Sequence, residues 1–342
     1  MNYEYRGVIH VHTIHSDGSG NIETIVDAAR EAKLDFVILT DHNTLMYLKQ
    51  GKEGWKDKVL VLVGEEISAL KNHYLALRIT RPVRPSFSVQ KYVEEVARQG
   101  GIGFIAHPHF RGKPAFLIFS HRWEAWDISR YTGIEVWSYL VDWIETLNYF
   151  NLAYFHLHPE KVIEGPSLET LKKWDELTQK RPIVGICGVD AHARPLLPFQ
   201  RVKILPYHYV FSTLRNHLLL SAPLSGELLT DKALIYQALE KGNCFFAYDL
   251  LADSTGFLFS GHQGEASVVM GETLSLGKEI TLEVKAPEEG EIRIIHNGHL
   301  EKNFPDREVY WEVKEEGTYR IEVYLKDKPW IFSNPIYVKL NK

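Results

Sequence analysis

The chain has 342 residues, 45% hydrophobic and 24% charged, which is ordinary for a globular protein and enough for one large domain with a smaller one. No apolar stretch approaches the ~20 residues needed to span a bilayer, and a formal net charge of -5 gives no basic footprint for duplex nucleic acid, so neither partner is expected. Only Cys187 and Cys244 occur, and the N-terminus (MNYEYRG) lacks the basic-then-apolar pattern of a secretion signal, so a reducing cytoplasm is the default expectation.

In chain order, short β-branched runs alternate with helical patterns over the first two thirds, which predicts a parallel sheet or barrel of βα units. Strands are expected over 7–11, 35–39, 59–63, 73–79, 101–106, 133–137 and 183–188. Helices are expected over 22–33 and 89–99, where Ile22, Ile25, Val26 and Ala29, then Val89, Tyr92, Val93 and Val96, share one face. Two more are expected over 139–158 and 167–179. From about residue 256 apolar and polar residues alternate, with turn signals at Asn297-Gly298 and Glu316-Gly317, which predicts short antiparallel strands in a sandwich. The expected division is 1–253 for the α/β unit and 254–342 for the all-β unit.

The composition holds 16 histidines, eleven of them before residue 193. They fall with acids at predicted strand ends: His10 and His12, Asp41 and His42, Glu65 and Glu66, His73, His107 and His109, Glu135, Asp190 and His192. In a closed parallel barrel all strand carboxyl ends share one face, so groups scattered in sequence converge in space. Residues two apart on a strand point the same way, so His10 and His12 can grip one ion, and Asp190 and His192 one ion or two neighbouring ones. Imidazoles with carboxylates suit zinc, manganese or iron.

This arrangement resembles the polymerase and histidinol phosphatase (PHP) family of metallohydrolases. The resemblance rests on His10-Val-His12, Ser16-Asp17-Gly18, Asp41-His42, Glu66-Ile67-Ser68, the isolated His73, Ala106-His107-Pro108 and Asp190-Ala-His192, in the family's order across residues 7–192. It implies a distorted, TIM-like (β/α)7 barrel followed here by a small immunoglobulin-like sandwich, with two or three divalent ions (Zn, Mn or Fe). Carried over position by position, His10, His12, Glu66 and Asp190 would hold one ion, Glu66, His73 and His107 a second, and Asp17, His42 and His192 a third. Asp17 stands where some members have histidine, and Glu65 competes with Glu66 for the carboxylate role. The stretches RGVIHVHTIHSDGSG, DFVILTDHNTL and VLVGEEIS, with a β-rich tail ending in WIFSNPIYV, look like the subgroup that includes carbaryl hydrolase.

The implied function is a hydrolase using a metal-activated hydroxide, with Asp190, His192 or His107 assisting proton transfer. A phosphoesterase acting on a small phosphate ester is favoured, and should show cations converging on the site. A carbamate, ester or amide hydrolase is the alternative, and should show an apolar pocket with few cations. A non-catalytic metal-binding protein is a further alternative, requiring an incomplete ligand set. Asp41 is expected to orient a ligand histidine, and Glu135 to stand behind a ligand or touch substrate. His15, His109, Arg111, Lys113 and Arg194 are substrate-contact candidates beside their reading as solvated loop residues. Trp137, Tyr139 and Trp143 are either core or an aromatic wall above the metals. His156 and His158 repeat the His-x-His spacing, but on a helix they diverge by about 200°. The expected partner is a small molecule, and a homo-oligomer is left open.

Overall fold

The computed structural model describes residues 2–196, 199–277 and 279–340. The chain is a mixed α/β protein with a β-rich C-terminal region. One sheet places Tyr3–Val11 at its centre, parallel to Phe36–Leu39, which is parallel in turn to Val59–Val63. On its other edge Tyr3–Val11 pairs antiparallel with Leu214–Leu220, and that strand with Cys244–Tyr248. A second, five-stranded sheet runs Glu65–Ile67, Tyr74–Leu77, Ile102–Ile105, Gly133–Ser138, Val184–Gly188. Two isolated bridges join the sheets, Val11 with Ala191 and His42 with Glu66, and both lie at strand ends that carry acids and histidines.

The expected parallel order is corrected in the second sheet, whose first three strands pair antiparallel. For the first pair the reason is connection length. Only residues 68–73 separate Glu65–Ile67 from Tyr74–Leu77, and a parallel crossover needs a dozen or more. The chain passes from one sheet to the other at Gly64, whose added Cβ would lie 2.6 Å from the Ala76 carbonyl oxygen.

The helix Ile22–Glu31 buries Ile22, Ile25, Val26 and Ala29 as the periodicity requires, and Asn21 caps it by accepting from the Thr24 N–H. Ser167 caps Leu168–Thr178 in the same way. The single helix expected over 139–158 is two, Tyr139–Thr146 and Leu152–Leu157. Between them Asn148 and Asn151 bond the local backbone: the Asn151 side chain accepts from Asn148 N–H at 2.7 Å, and the Asn148 side chain from Phe150 N–H at 2.9 Å. His156 is on the second helix and His158 just past it.

In the C-terminal region the hairpin of Ile280–His296 and His299–Val313 turns at Asn297 and Gly298, both with positive φ (49° and 82°), as its Asn-Gly requires. This region does not stand apart. Lys328–Ser333 pairs with Cys244–Tyr248 (Phe245 with Ser333, Phe246 with Phe332), so one sheet runs through both parts of the chain. Among the described residues no helix is long and apolar enough to cross a membrane.

Candidate metal centre

The strand ends deliver three adjoining donor groups, each with its ligand atoms within 4.8 Å of one another: His10, His12 and Asp190; His10, Glu66 and His107; and His12, Asp17, His42 and His192. Glu66 and Asp190 tie the groups together. Glu66 Oε2 is 3.3 Å from both His10 Nε2 and His12 Nε2 and 3.0 Å from His42 Nδ1, while its Oε1 faces His73 Nδ1 at 2.7 Å and His107 Nε2 at 3.2 Å. Asp190 Oδ1 lies 3.2 Å from His12 Nε2, 3.4 Å from His10 Nε2 and 3.5 Å from His192 Nδ1. Asp17 Oδ1 approaches His192 Nε2 at 3.1 Å and His42 Nε2 at 3.5 Å. All nine residues implied as ligands thus meet in one place. The grouping differs in detail, since His12 also faces the Asp17 group and His73 meets Glu66 through Nδ1 while its Nε2 is turned to the Ala69 carbonyl at 3.0 Å.

The imidazoles are aimed by neighbours. Glu135, fully buried, accepts from His10 Nδ1–H at 2.8 Å and from the His107 backbone N–H at 2.6 Å, which leaves His10 Nε2 free toward the donor groups. The His192 Nδ1–H donates to the Asp190 carbonyl at 2.9 Å, freeing Nε2 toward Asp17. The backbone is held in the left-handed region at His10 (φ 69°), Asp190 (49°) and His107 (27°), conformations that cost of order 1–3 kcal/mol each and persist only where surroundings enforce them.

Burial opposes charge at all these groups, and the neighbours decide the outcome. It pushes the Asp190 carboxyl up, but His10, His12 and His192 hold it well below its usual range. Glu66 is likewise held low by His73, His10 and His107. Burial pulls His10 down, but Asp190, Glu135 and Glu66 outweigh it and leave the ring raised. For His12, burial and the facing His192 prevail and lower it to about 4. Neighbouring rings of similar burial therefore differ because His10 is surrounded by carboxylates, Asp190 foremost, then Glu135 and Glu66, whereas His12 also faces the rings of His192 and His42.

His10 Nε2, His12 Nε2 and Asp17 Oδ1 are buried without a hydrogen-bond partner. Unpaired buried lone pairs are costly, and here they converge with nitrogen and oxygen donors of the type that zinc, manganese or iron accepts. The residues fit a cluster of divalent ions.

Other predicted residues separate clearly. Asp41 touches no ligand histidine: it accepts from Thr13 N–H and Thr13 Oγ1–H, both at 2.7 Å, and Ser16 Oγ–H at 2.6 Å, pinning the loop that carries Asp17. Glu65 is on the opposite strand face from Glu66 and accepts from Val83 N–H at 2.6 Å, its carboxyl pushed up to about 7 by burial. His109 bonds Thr170 Oγ1 at 2.8 Å and stacks on Trp126, lining a separate cavity of about 420 Å³ beyond His107. His15 packs edge-on against Tyr47. Arg111 pairs with Glu169 at 3.0 Å, and Lys113 donates to the Glu145 carbonyl at 2.7 Å. Arg194 alone of these cations lines the centre's own cavity, paired with Asp17 at its mouth. Trp137 is core, whereas Trp143 is in the cavity wall.

Three residues of the site escape a sequence reading. His121 stacks on His73 with ring centroids 4.4 Å apart and lines the cavity. The Tyr207 hydroxyl sits 2.8 Å from the His12 carbonyl and 3.0 Å from that of His192, and accepts from Ser19 and Gly20 N–H. Ser68 Oγ is 2.5 Å from His42 Nδ1. Only Ser68 carried a signal, as the last residue of the Glu-Ile-Ser motif.

Residues 9–177 match the PHP domain family. A stretch of 113 residues is 25% identical to an uncharacterized protein of Methanocaldococcus jannaschii, covering 30% of this chain and 66% of that protein, just under two thirds of its length. Among solved structures, a two-domain protein of Bacteroides vulgatus containing a predicted PHP-like metal-dependent phosphoesterase aligns over 98% of this chain and 95% of its own at 15% identity and a TM-score of 0.48. A candidate metal-dependent phosphoesterase of Bifidobacterium adolescentis aligns over 54% and 87% at 16% identity and a TM-score of 0.33. The matched segment, just under half of the chain, supplies seven of the nine clustered donors, with Asp190 and His192 following just beyond it, so this part of the chain is similar to a PHP domain.

Proposed function

We propose that the chain is a metal-dependent hydrolase that cleaves a small phosphate ester. The observation that carries this reading is the trio of adjoining donor groups, joined through His10 and His12, whose members Asp17, His42, Glu66, His107, Asp190 and His192 line one cavity. Divalent ions held there would lower the pKa of bound water and neutralise charge on a transferring phosphoryl group. His10, His12, Glu66 and Asp190 would hold one ion, His73 and His107 with Glu66 a second, and Asp17, His42 and His192 a third. His107, Asp190 and His192 line the cavity, which supports a role for them in holding or passing a proton at the leaving oxygen. Arg194 at the mouth offers a guanidinium to an anionic oxygen.

A second reading, hydrolysis of a carbamate, ester or amide, is favoured by one observation. Apart from His121 and Arg194 the remaining cavity wall is apolar and, among the described residues, Arg194 is its only lysine or arginine. Converging cations, the feature expected of a phosphoesterase, are thus reduced to one.

Elemental analysis of protein purified without added metal is expected to find two or three divalent ions per chain. Turnover of 4-nitrophenyl phosphate against 4-nitrophenyl acetate and an aryl carbamate then separates the readings. Chelation, or His10→Ala with His12→Ala, is expected to abolish the activity; retention in the double variant would falsify this site.

A further inference from the structure

We infer that the substrate of this centre is an amphiphile, whose hydrolysable polar head lies at the metal donors and whose apolar tail fills the cavity and emerges over its rim. The inference rests on the hydrolase reading for the head and on independent observations for the tail. The cavity holds about 390 Å³, within the ~300–1,000 Å³ of pockets that bury a drug-sized ligand and far more than a bare phosphate occupies. Besides the donors its wall includes Phe110, Leu140, Val141, Trp143, Ile144 and Leu205. The apolar surface continues outward: Leu117 and Phe119 line the cavity yet are 83% and 76% exposed.

The rim is tied across two loops. The rings of Phe116 and Tyr149 lie 4.8 Å apart, and the Tyr149 hydroxyl donates to the Ala115 carbonyl. Tyr149 and Phe150 are themselves 70% and 101% exposed. Large apolar side chains grouped in the open around a cavity mouth mark a binding surface. Continuity with the interior wall identifies the occupant as part of whatever enters the cavity. A polar remainder, such as a sugar or a second phosphate, would find no charged side chain and no side-chain hydrogen-bonding partner among Phe110, Leu140, Val141, Ile144 and Leu205.

The test uses the full chain as purified with its metals and a series of 4-nitrophenyl alkylphosphonates, methyl to octyl, with 4-nitrophenyl alkanoates in parallel, all below their micellar concentrations. Hydrolysis breaks the bond from phosphorus or carbonyl carbon to the aryl oxygen, adds water's oxygen to that centre and releases 4-nitrophenolate. In at least one series kcat/KM is expected to rise about fourfold per methylene until the cavity is filled. Calorimetric binding of methyl- against octylphosphonic acid gives the same comparison without turnover. Leu117→Ser with Phe119→Ser, both exposed and so harmless to folding, is expected to lower the octyl-to-methyl ratio at least tenfold.

A flat series in an active enzyme overturns the inference. No turnover with octylphosphonic acid still bound more tightly sinks the hydrolase reading and upholds the amphiphile. If the rim instead joins two copies of the chain, the double variant changes the sedimenting mass and leaves the ratio unaltered, which also overturns it.

Discussion

Glu135 shows how one side chain outside the donor groups sets their chemistry. One oxygen fixes the His10 tautomer and the other holds His107 through its backbone N–H, so a single carboxylate braces two residues with positive φ. Space for it exists only because residue 188 is glycine, where an added Cβ would lie 1.6 Å from Glu135 Oε1. Gly188→Ala must therefore displace the carboxylate. Glu135→Gln keeps the shape but turns an amide NH2 toward either His10 Nδ1–H or His107 N–H, so one donor faces another. Both variants are expected to stay folded by circular dichroism and to lose metal affinity by about 10–100-fold, the usual effect of removing a ligand's orienter. Metal titration monitored by calorimetry checks this, and affinity at the unsubstituted level would reject the bracing role. Nothing in sequence spacing joins Glu135 to His10, since 125 residues separate them.

At the level of elements, the strands and the first two helices were legible because apolar runs and 3.6-residue periodicity are local signals that burial then enforces. What local signals could not supply was direction and interruption. The antiparallel start of the second sheet follows from a six-residue connection, which the alternation of strands and helices concealed. The break at residues 147–151 follows from asparagine side chains competing with helical bonds in an otherwise helical pattern, and it sets Tyr149 and Phe150 on the surface. The clustered donors are legible through motifs, whereas the partners of Asp41, Thr13 and Ser16, lie in a loop with no regular geometry, and Asp41 meets His12 only by way of Ser16 Oγ, 3.5 Å from its Nδ1. That loop carries Asp17 to His42 and His192. Asp41→Ala is expected to weaken the ion at Asp17, His42 and His192 by at least tenfold while leaving ions at His10 and Glu66 in place. Stoichiometry by elemental analysis should fall by one ion per chain, and a uniform loss at every site would contradict the loop's separate role.

Across the whole molecule, side-chain contacts besides the shared sheet fasten the C-terminal region to the α/β part, three buried ones among them. Arg320, buried, makes a two-pronged pair with Asp175 at 2.6 and 2.8 Å and a third bond to Glu322. The Asn334 side chain accepts from Gly185 N–H at 2.7 Å and donates to the Gly185 carbonyl at 2.9 Å. The third fastening is titratable. His217, fully buried in Leu214–Leu220, reaches Glu4 at 2.7 Å through Nδ1 and Asp249 at 3.1 Å through Nε2, while Ser254 donates to Asp249 at 2.6 Å. Asp249 and Ser254 belong to the segment that leads from Cys244–Tyr248 into Leu258–Gln263. Burial alone would lower the His217 ring, but Asp249 and Glu4 outweigh it and raise it to about 9 from an ordinary 6.5. With the folded value above the unfolded one, the stabilisation is complete below pH 6.5, declines as pH rises, and is lost beyond about 9. Its full size is on the order of 3 kcal/mol. Thermal unfolding of the full chain, compared with His217→Gln at the same metal content, is expected to show a stability difference that shrinks between pH 6.5 and 9. A difference independent of pH over that window would show that His217 fastens the junction by packing on Phe245, 4.5 Å away, and not by charge.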